Sequence, residues 1–334
     1  MHTTLIYPPG CLTHDTGAHD ERPERLEAIR GAIVRRWPDA AFTDSAPATV
    51  EALARCHEPA YIAVVERVAA RGGGYWDLDT PESPGSYTAA CLAAGAAIAA
   101  ADTALAGQPA FALVRPPGHH ALPDHAMGFC FFNNVVVAAR HAQAAGGVER
   151  VLIVDWDVHH GNGTQALVYR DGSIGYFSLH QYPFYPGTGA ITEMGAGDGY
   201  GTVCNVPLPA GCGDADYLAV FRRVLMPFAR RFRPDLILVS AGYDAHRRDP
   251  LGGMRLSADG IAALTAVVLD LAATLCGGRL ALVLEGGYDL NGLAESVVST
   301  VVTLDGAPAP AIPAGVAAPV QRVLDHVRAQ HDLP

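Results

Sequence analysis

Seven strand-like runs recur along this chain, at residues 4–7, 111–115, 150–155, 174–179, 202–207, 235–240 and 279–284, and several are apolar at consecutive positions. A strand that does not alternate is buried on both faces, which places it inside a parallel sheet covered by helices. Helical patterns fill the gaps. Residues 23–37 set Leu26, Ile29, Ile33 and Trp37 on one stripe, with Pro23 suited to a first turn. Residues 86–105, 133–145 and 214–231 also read as helices, and Ser257 is placed to cap another that runs to about Leu275, before Gly277. Strands alternating with helices imply an α/β domain with helices on both faces of the sheet. Residues 306–319 are rich in Pro and Ala and read as a tether, followed by a docking helix at 320–330 that carries Val320, Val323, Leu324 and Val327. The expected organisation is one domain over residues 1–334.

Composition narrows the function. Half the residues are apolar, 17% are charged, and the formal net charge is -11, with all 23 basic residues arginine. So acidic a chain is unsuited to binding nucleic acid directly, which requires a basic surface to displace counterions. The most apolar run, 89–101, is too short and Ala-rich to span a bilayer, so no membrane is expected. The 7 cysteines are scattered, with no Cys-x-x-Cys pair, and residues 1–10 show no basic patch before an apolar stretch. A reduced, cytoplasmic setting is expected. A homo-oligomer stays open.

Ligands of open α/β sheets bind beyond the carboxyl ends of strands. Four predicted strand ends carry the unusual residues. One leads through Asp155 to Asp157, His159 and Asn162, another to Asp244, a third to Tyr288 and a fourth to His119-His120. Alternate residues of an extended segment point the same way, so Asp157 and His159 can converge on one cation, with Asp244 arriving from a separate strand. Two carboxylates and one imidazole leave an open position on a zinc-sized ion, as in catalytic rather than structural sites. The histidine pair can divide labour, one ring accepting a proton while the other stays charged, and Asp155 and Asn162 are candidate partners that fix their tautomers. The Tyr288 hydroxyl can donate to an oxyanion.

Together these segments resemble the zinc-dependent histone deacetylase family, in its class II-like bacterial branch of deacetylase-like and acetylpolyamine amidohydrolases. The resemblance rests on RPPGHHA from Arg115, GFCFFNN from Gly128, VLIVDWDVHHGNGTQ from Val151, FYPGTG from Phe184, SAGYDAH from Ser240, DPLG from Asp249 and LEGGY from Leu284. It implies the arginase/deacetylase fold, an open, eight-stranded, mostly parallel sheet. It further implies zinc held by Asp157, His159 and Asp244, with His120 as base and acid, His119 as its partner, Asp155 behind His119, Asn162 behind His120, and Tyr288 on the transition state. A substrate tunnel at Gly128, Phe129, Tyr185, Leu251 and Gly286 follows from the same likeness. So does a potassium site at Asp155, Asp157, His159, Ser178 and Leu179. The implied reaction is hydrolysis of N-acyl amides of the acetyl-lysine kind by metal-activated water. Leu251 stands where polyamine-selective relatives carry a glutamate, which favours acyl-lysine peptides or proteins over acetylated polyamines. A rim aspartate, Asp77 or Asp79, would grip the substrate backbone. A non-catalytic module that binds acyl ligands is the contrasting reading, and the complete set of ligands, histidines and Tyr288 argues against it.

Overall fold

A computed structural model describes residues 2–145 and 147–334. Eight strands form its main sheet: β1 (Thr4–Ile6), β2 (Phe42–Thr43), β3 (Ala110–Ala112), β4 (Val151–Asp155), β5 (Ile174–Gln181), β6 (Val203–Leu208), β7 (Leu236–Ala241) and β8 (Leu280–Leu284). Their order across the sheet is β2-β1-β3-β8-β7-β4-β5-β6, and every pairing is parallel. This is the arginase/deacetylase α/β fold, with helices packed around the sheet. The uninterrupted apolar runs are explained directly: every residue of β3, β4, β5 and β7 is buried.

The topology explains where chemistry can occur. The chain builds one edge with β1 and β2, returns to β3, then crosses to β4 and winds outward through β5 and β6. Strands β7 and β8 then fill the gap between β4 and β3. The four strands whose ends carry the unusual residues, β3, β8, β7 and β4, are therefore consecutive neighbours at the switch point.

Several elements depart from expectation. Strand β2 has only two residues, too few for a periodic signal. Helices Val50–Leu53, Pro59–Ala70, Asn162–Val168 and Leu290–Leu304 arise in segments without an assigned pattern. The expected helix at 214–231 is divided into Asp214–Val220, a π-helical turn at Phe221–Leu225, and Met226–Phe232. Pro227 lacks the N–H that would continue the i→i−4 ladder, and a wider turn absorbs the defect. Ser257 does cap Ala258–Leu275, its hydroxyl accepting from the Gly260 N–H.

The segment from 306 to 317 is irregular, and helix Ala318–Gln330 begins two residues before the expected 320. Its Val320, Leu324 and Val327 are buried in the same core as β1 and packed along β6, so it covers an otherwise open sheet edge. Helices Ser86–Leu105 and Ala258–Leu275 are long and apolar enough to cross a membrane by composition and length, but most of each apolar window is buried inside the fold.

Candidate active site

The end of β4 folds back over its own carboxylates. The Asp157 N–H donates to Asp155 Oδ1 (3.1 Å), His159 N–H to Asp157 Oδ1 (2.9 Å) and Val158 N–H to Asp244 Oδ1 (2.8 Å). Asp244 follows β7, and ligand atoms of Asp157, His159 and Asp244 lie within 4.8 Å of one another. The His159 Nδ1 sits 3.2 Å from Asp157 Oδ1 and 3.1 Å from Asp244 Oδ2. Burial and the charge of Asp157 push the Asp244 carboxyl up to about 7. His159 is raised too: burial opposes its charge, yet its hydrogen bonds to the two carboxylates raise it to about 10. Two buried carboxylates and one imidazole thus converge on a single point, a donor set that fits zinc.

The histidine pair follows β3. Glu285, at the end of β8, accepts from the Gly118 and His119 N–H groups at 2.6 and 3.1 Å, and from Ser240 Oγ at 3.0 Å. This carboxylate ties three strand ends together. His119 Nδ1 lies 3.0 Å from Asp155 Oδ2, and His120 Nδ1 lies 2.7 Å from Asn162 Oδ1. The ring centroids are 4.0 Å apart. Burial works against a charge on both rings, but their partners differ. Asp157 and Asp155 outweigh burial and hold His119 well above the usual imidazole range. Burial and the charges of His119 and His159 hold His120 well below it. Since Asn162 Oδ1 can only accept, His120 carries its proton on Nδ1 and leaves Nε2 free.

Tyr288 is placed by its backbone. Its N–H donates to Asp249 Oδ2 at 2.6 Å, and the same oxygen takes the Asp289 N–H at 3.3 Å. Arg25, reaching in from helix Glu24–Arg36, donates to the carbonyls of Gly287 (2.6 Å) and Glu285 (2.5 Å). Burial raises the Tyr288 phenol well above its ordinary value, so it stays a donor.

A cavity of about 740 Å³ opens onto this cluster and is lined by His120, His159, Tyr288, Gly128, Phe129, Phe184, Tyr185, Leu251, Gln181 and the rim residues Asp77, Leu78 and Asp79, among others. The rings of Phe184 and His159 stack at 5.4 Å, and Tyr185 meets His120 edge-on at 5.2 Å. Gly128 has φ +56°, and a Cβ there would overlap the His120 ring. Gly286, expected in the tunnel, lies against the ligand carboxylates. Its N–H donates to Asp157 Oδ2 (2.9 Å), and a Cβ would overlap Asp244 Oδ2, so a glycine is needed for the backbone to support the ligand carboxylates.

Residues 19–304 match the family model described as "Histone deacetylase domain". The chain belongs to the histone deacetylase family. It is 49% identical over 287 residues to "Histone deacetylase-like amidohydrolase" of Pseudomonas aeruginosa, covering 85% of this chain and 74% of that one. It is 40% identical over 351 residues to human "Polyamine deacetylase HDAC10", covering 98% of this chain and 51% of that protein. The solved structure titled "Crystal Structure of HDA15 HD domain" superposes with a TM-score of 0.92 at 37% identity, covering 98% of this chain and 94% of that one. As a histone deacetylase family member, the chain is a hydrolytic deacetylase of acetylated substrates, from a zinc-dependent family.

Sequence reading missed part of this machinery. Glu285 and Asp249 lay inside recognised motifs without a role. Arg25 stands on the i, i+4, i+8 row with Ile29 and Ile33, and an arginine on an apolar row is a legible signal of a buried cation with partners. Phe184 and Gln181 of the cavity wall were likewise not singled out.

Proposed function

We propose that this deacetylase acts on acetyl-lysine side chains of peptides or proteins, using one zinc ion held by Asp157, His159 and Asp244. The carrying observation is Leu251, an apolar residue on the cavity wall where a carboxylate would otherwise attract a second amine. Phe129, Phe184 and Tyr185 supply aromatic faces suited to a thin aliphatic chain. When bound, zinc supplies Lewis acidity toward the acyl oxygen and the attacking water.

The remaining steps belong to the chain. His120 accepts the water's proton at its free Nε2 and delivers it to the leaving amine nitrogen. His119, kept charged between Asp155 and Asp157, stabilises negative charge developing beside it. The Tyr288 hydroxyl donates to the oxyanion as the acyl carbon becomes tetrahedral. A potassium ion at Asp155, Asp157, His159, Ser178 and Leu179 would stiffen the β4 loop. Support comes from the register that sets Asp155 beside Ser178 on the neighbouring strand.

The test is kcat/KM of zinc-loaded protein on an acetyl-lysine peptide, acetylputrescine and acetylspermidine, with Tyr288→Phe and His120→Ala alongside. The peptide is expected to be preferred and both variants nearly inactive. Wild-type rates in the variants would overturn the residue roles, and a preference for the polyamines would overturn the substrate class.

A further inference from the structure

We propose that Gln181 is a specificity-determining residue that donates a hydrogen bond to a carbonyl of the substrate's polypeptide chain, which selects acyl-lysine in peptides over acylated polyamines. The inference rests on the deacetylase reading above and names a group that recognises its substrate.

Gln181 is the last residue of β5, and its backbone N–H donates to the carbonyl of Val158, between the ligands Asp157 and His159. The residue is 8% exposed and lines the active-site cavity. The amide orientation is fixed by chemistry, because the Gly253 N–H lies 2.8 Å away and only the carboxamide oxygen can accept it. Nε2 therefore carries two N–H donors. Among the described residues they have no protein partner, and Nε2 is not sealed off as a buried orphan.

The cavity thus presents an anchored amide donor that the catalytic chemistry does not use. Of the other lining groups that the catalytic chemistry does not use, the rim residues Asp77 and Asp79 are acceptors, and the Tyr185 hydroxyl can both donate and accept. A peptide backbone offers both N–H and C=O groups and can satisfy donor and acceptors alike. A polyamine offers donors and, apart from the scissile acyl group, no carbonyl, so it would leave the Gln181 donors without a partner. Such a mismatch discriminates against a ligand that lacks the complementary group.

Two substitutions separate recognition from support. Gln181→Glu keeps an acceptor for the Gly253 N–H and removes the donors, whereas Gln181→Met removes both. The measured quantity is the ratio of kcat/KM on an acetyl-lysine peptide to kcat/KM on acetylputrescine. Both variants are expected to lower that ratio about three- to tenfold, the worth of one hydrogen bond, with the loss appearing in the peptide KM. Because a new carboxylate can lower the ratio merely by attracting the polyamine's second amine, the deciding value is the peptide KM: a wild-type peptide KM in Gln181→Glu would overturn the proposal, leaving Gln181 as a prop for Gly253. Failure of the zinc-loaded wild type to hydrolyse either substrate would instead overturn the deacetylase reading itself.

Discussion

The Arg25 guanidinium lies 4.9 Å from the centroid of the Tyr288 ring while it holds the carbonyls of Gly287 and Glu285. One buried arginine thereby fixes the backbone before the tyrosine and one face of its ring. Its remaining partner is Glu21 Oε1 at 3.1 Å, and Glu21 also receives Arg115 Nη2 at 2.7 Å.

Arg25→Lys keeps the charge but loses the planar fork that reaches both carbonyls. Tyr288 is then free to shift, and misplacing a reacting group by about 1 Å can cost about 100-fold. The variant is expected to lose about 10- to 100-fold in kcat on an acetyl-lysine peptide with a smaller change in KM. Steady-state kinetics beside a thermal melt check this, because a folded protein with unchanged kcat would contradict the positioning role.

Asn162→Asp tests which histidine is the base. Burial, with the charges of His119 and His159, holds His120 below its ordinary value of 6.5. A carboxylate on Nδ1 favours the protonated ring, so the folded-state value rises. The acid limb of the pH profile of kcat/KM should therefore move to higher pH in the variant. A limb that stays in place would remove His120 from the role of base.

The site was legible in sequence to the extent that its chemistry sits on short contiguous runs. The ligand pair Asp157 and His159 is two residues apart, and His119 is adjacent to His120, so local spacing carries them. Arg25, Glu285 and Asp249 act through backbone groups of distant segments, and only the sheet order that makes β3, β8, β7 and β4 neighbours brings them together. Motif position marked Gly286 for the tunnel but did not reveal its hydrogen bond to the ligand Asp157. In the fold, long apolar strands announced themselves, but β2 and the π-helical turn depend on pairing and on Pro227, not on periodicity.

The buried ligand carboxylates predict how metal removal acts on stability. Without a cation, burial and the charge of Asp157 oppose the ionisation of Asp244 and push it up to about 7. Asp244→Asn relieves that opposition and removes a ligand. The metal-free variant is expected to melt no lower than the metal-free wild type. Zinc at about 100 times its Kd should stabilise the wild type by about 2.7 kcal/mol and the variant far less. Melts with chelator and with added zinc read this directly, and equal zinc responses would exclude Asp244 as a ligand.

His57 supplies a pH dependence remote from the metal. Its Nδ1 donates to the Leu122 carbonyl and its Nε2 accepts the Asn133 N–H, both at 2.9 Å, so the neutral ring uses both nitrogens. Burial pushes it down to about 4 from 6.5. A folded-state value below the unfolded one means that the stability is present above pH 6.5 and is lost as the pH falls toward 4. The shift corresponds to about 3 kcal/mol lost across that window. His57→Gln keeps a donor and an acceptor but does not titrate there. Urea unfolding from pH 7.5 down to 4 should therefore show the wild type losing about 3 kcal/mol more than the variant. Parallel losses in the two proteins would mean that His57 is not protonated differently in the folded and unfolded states.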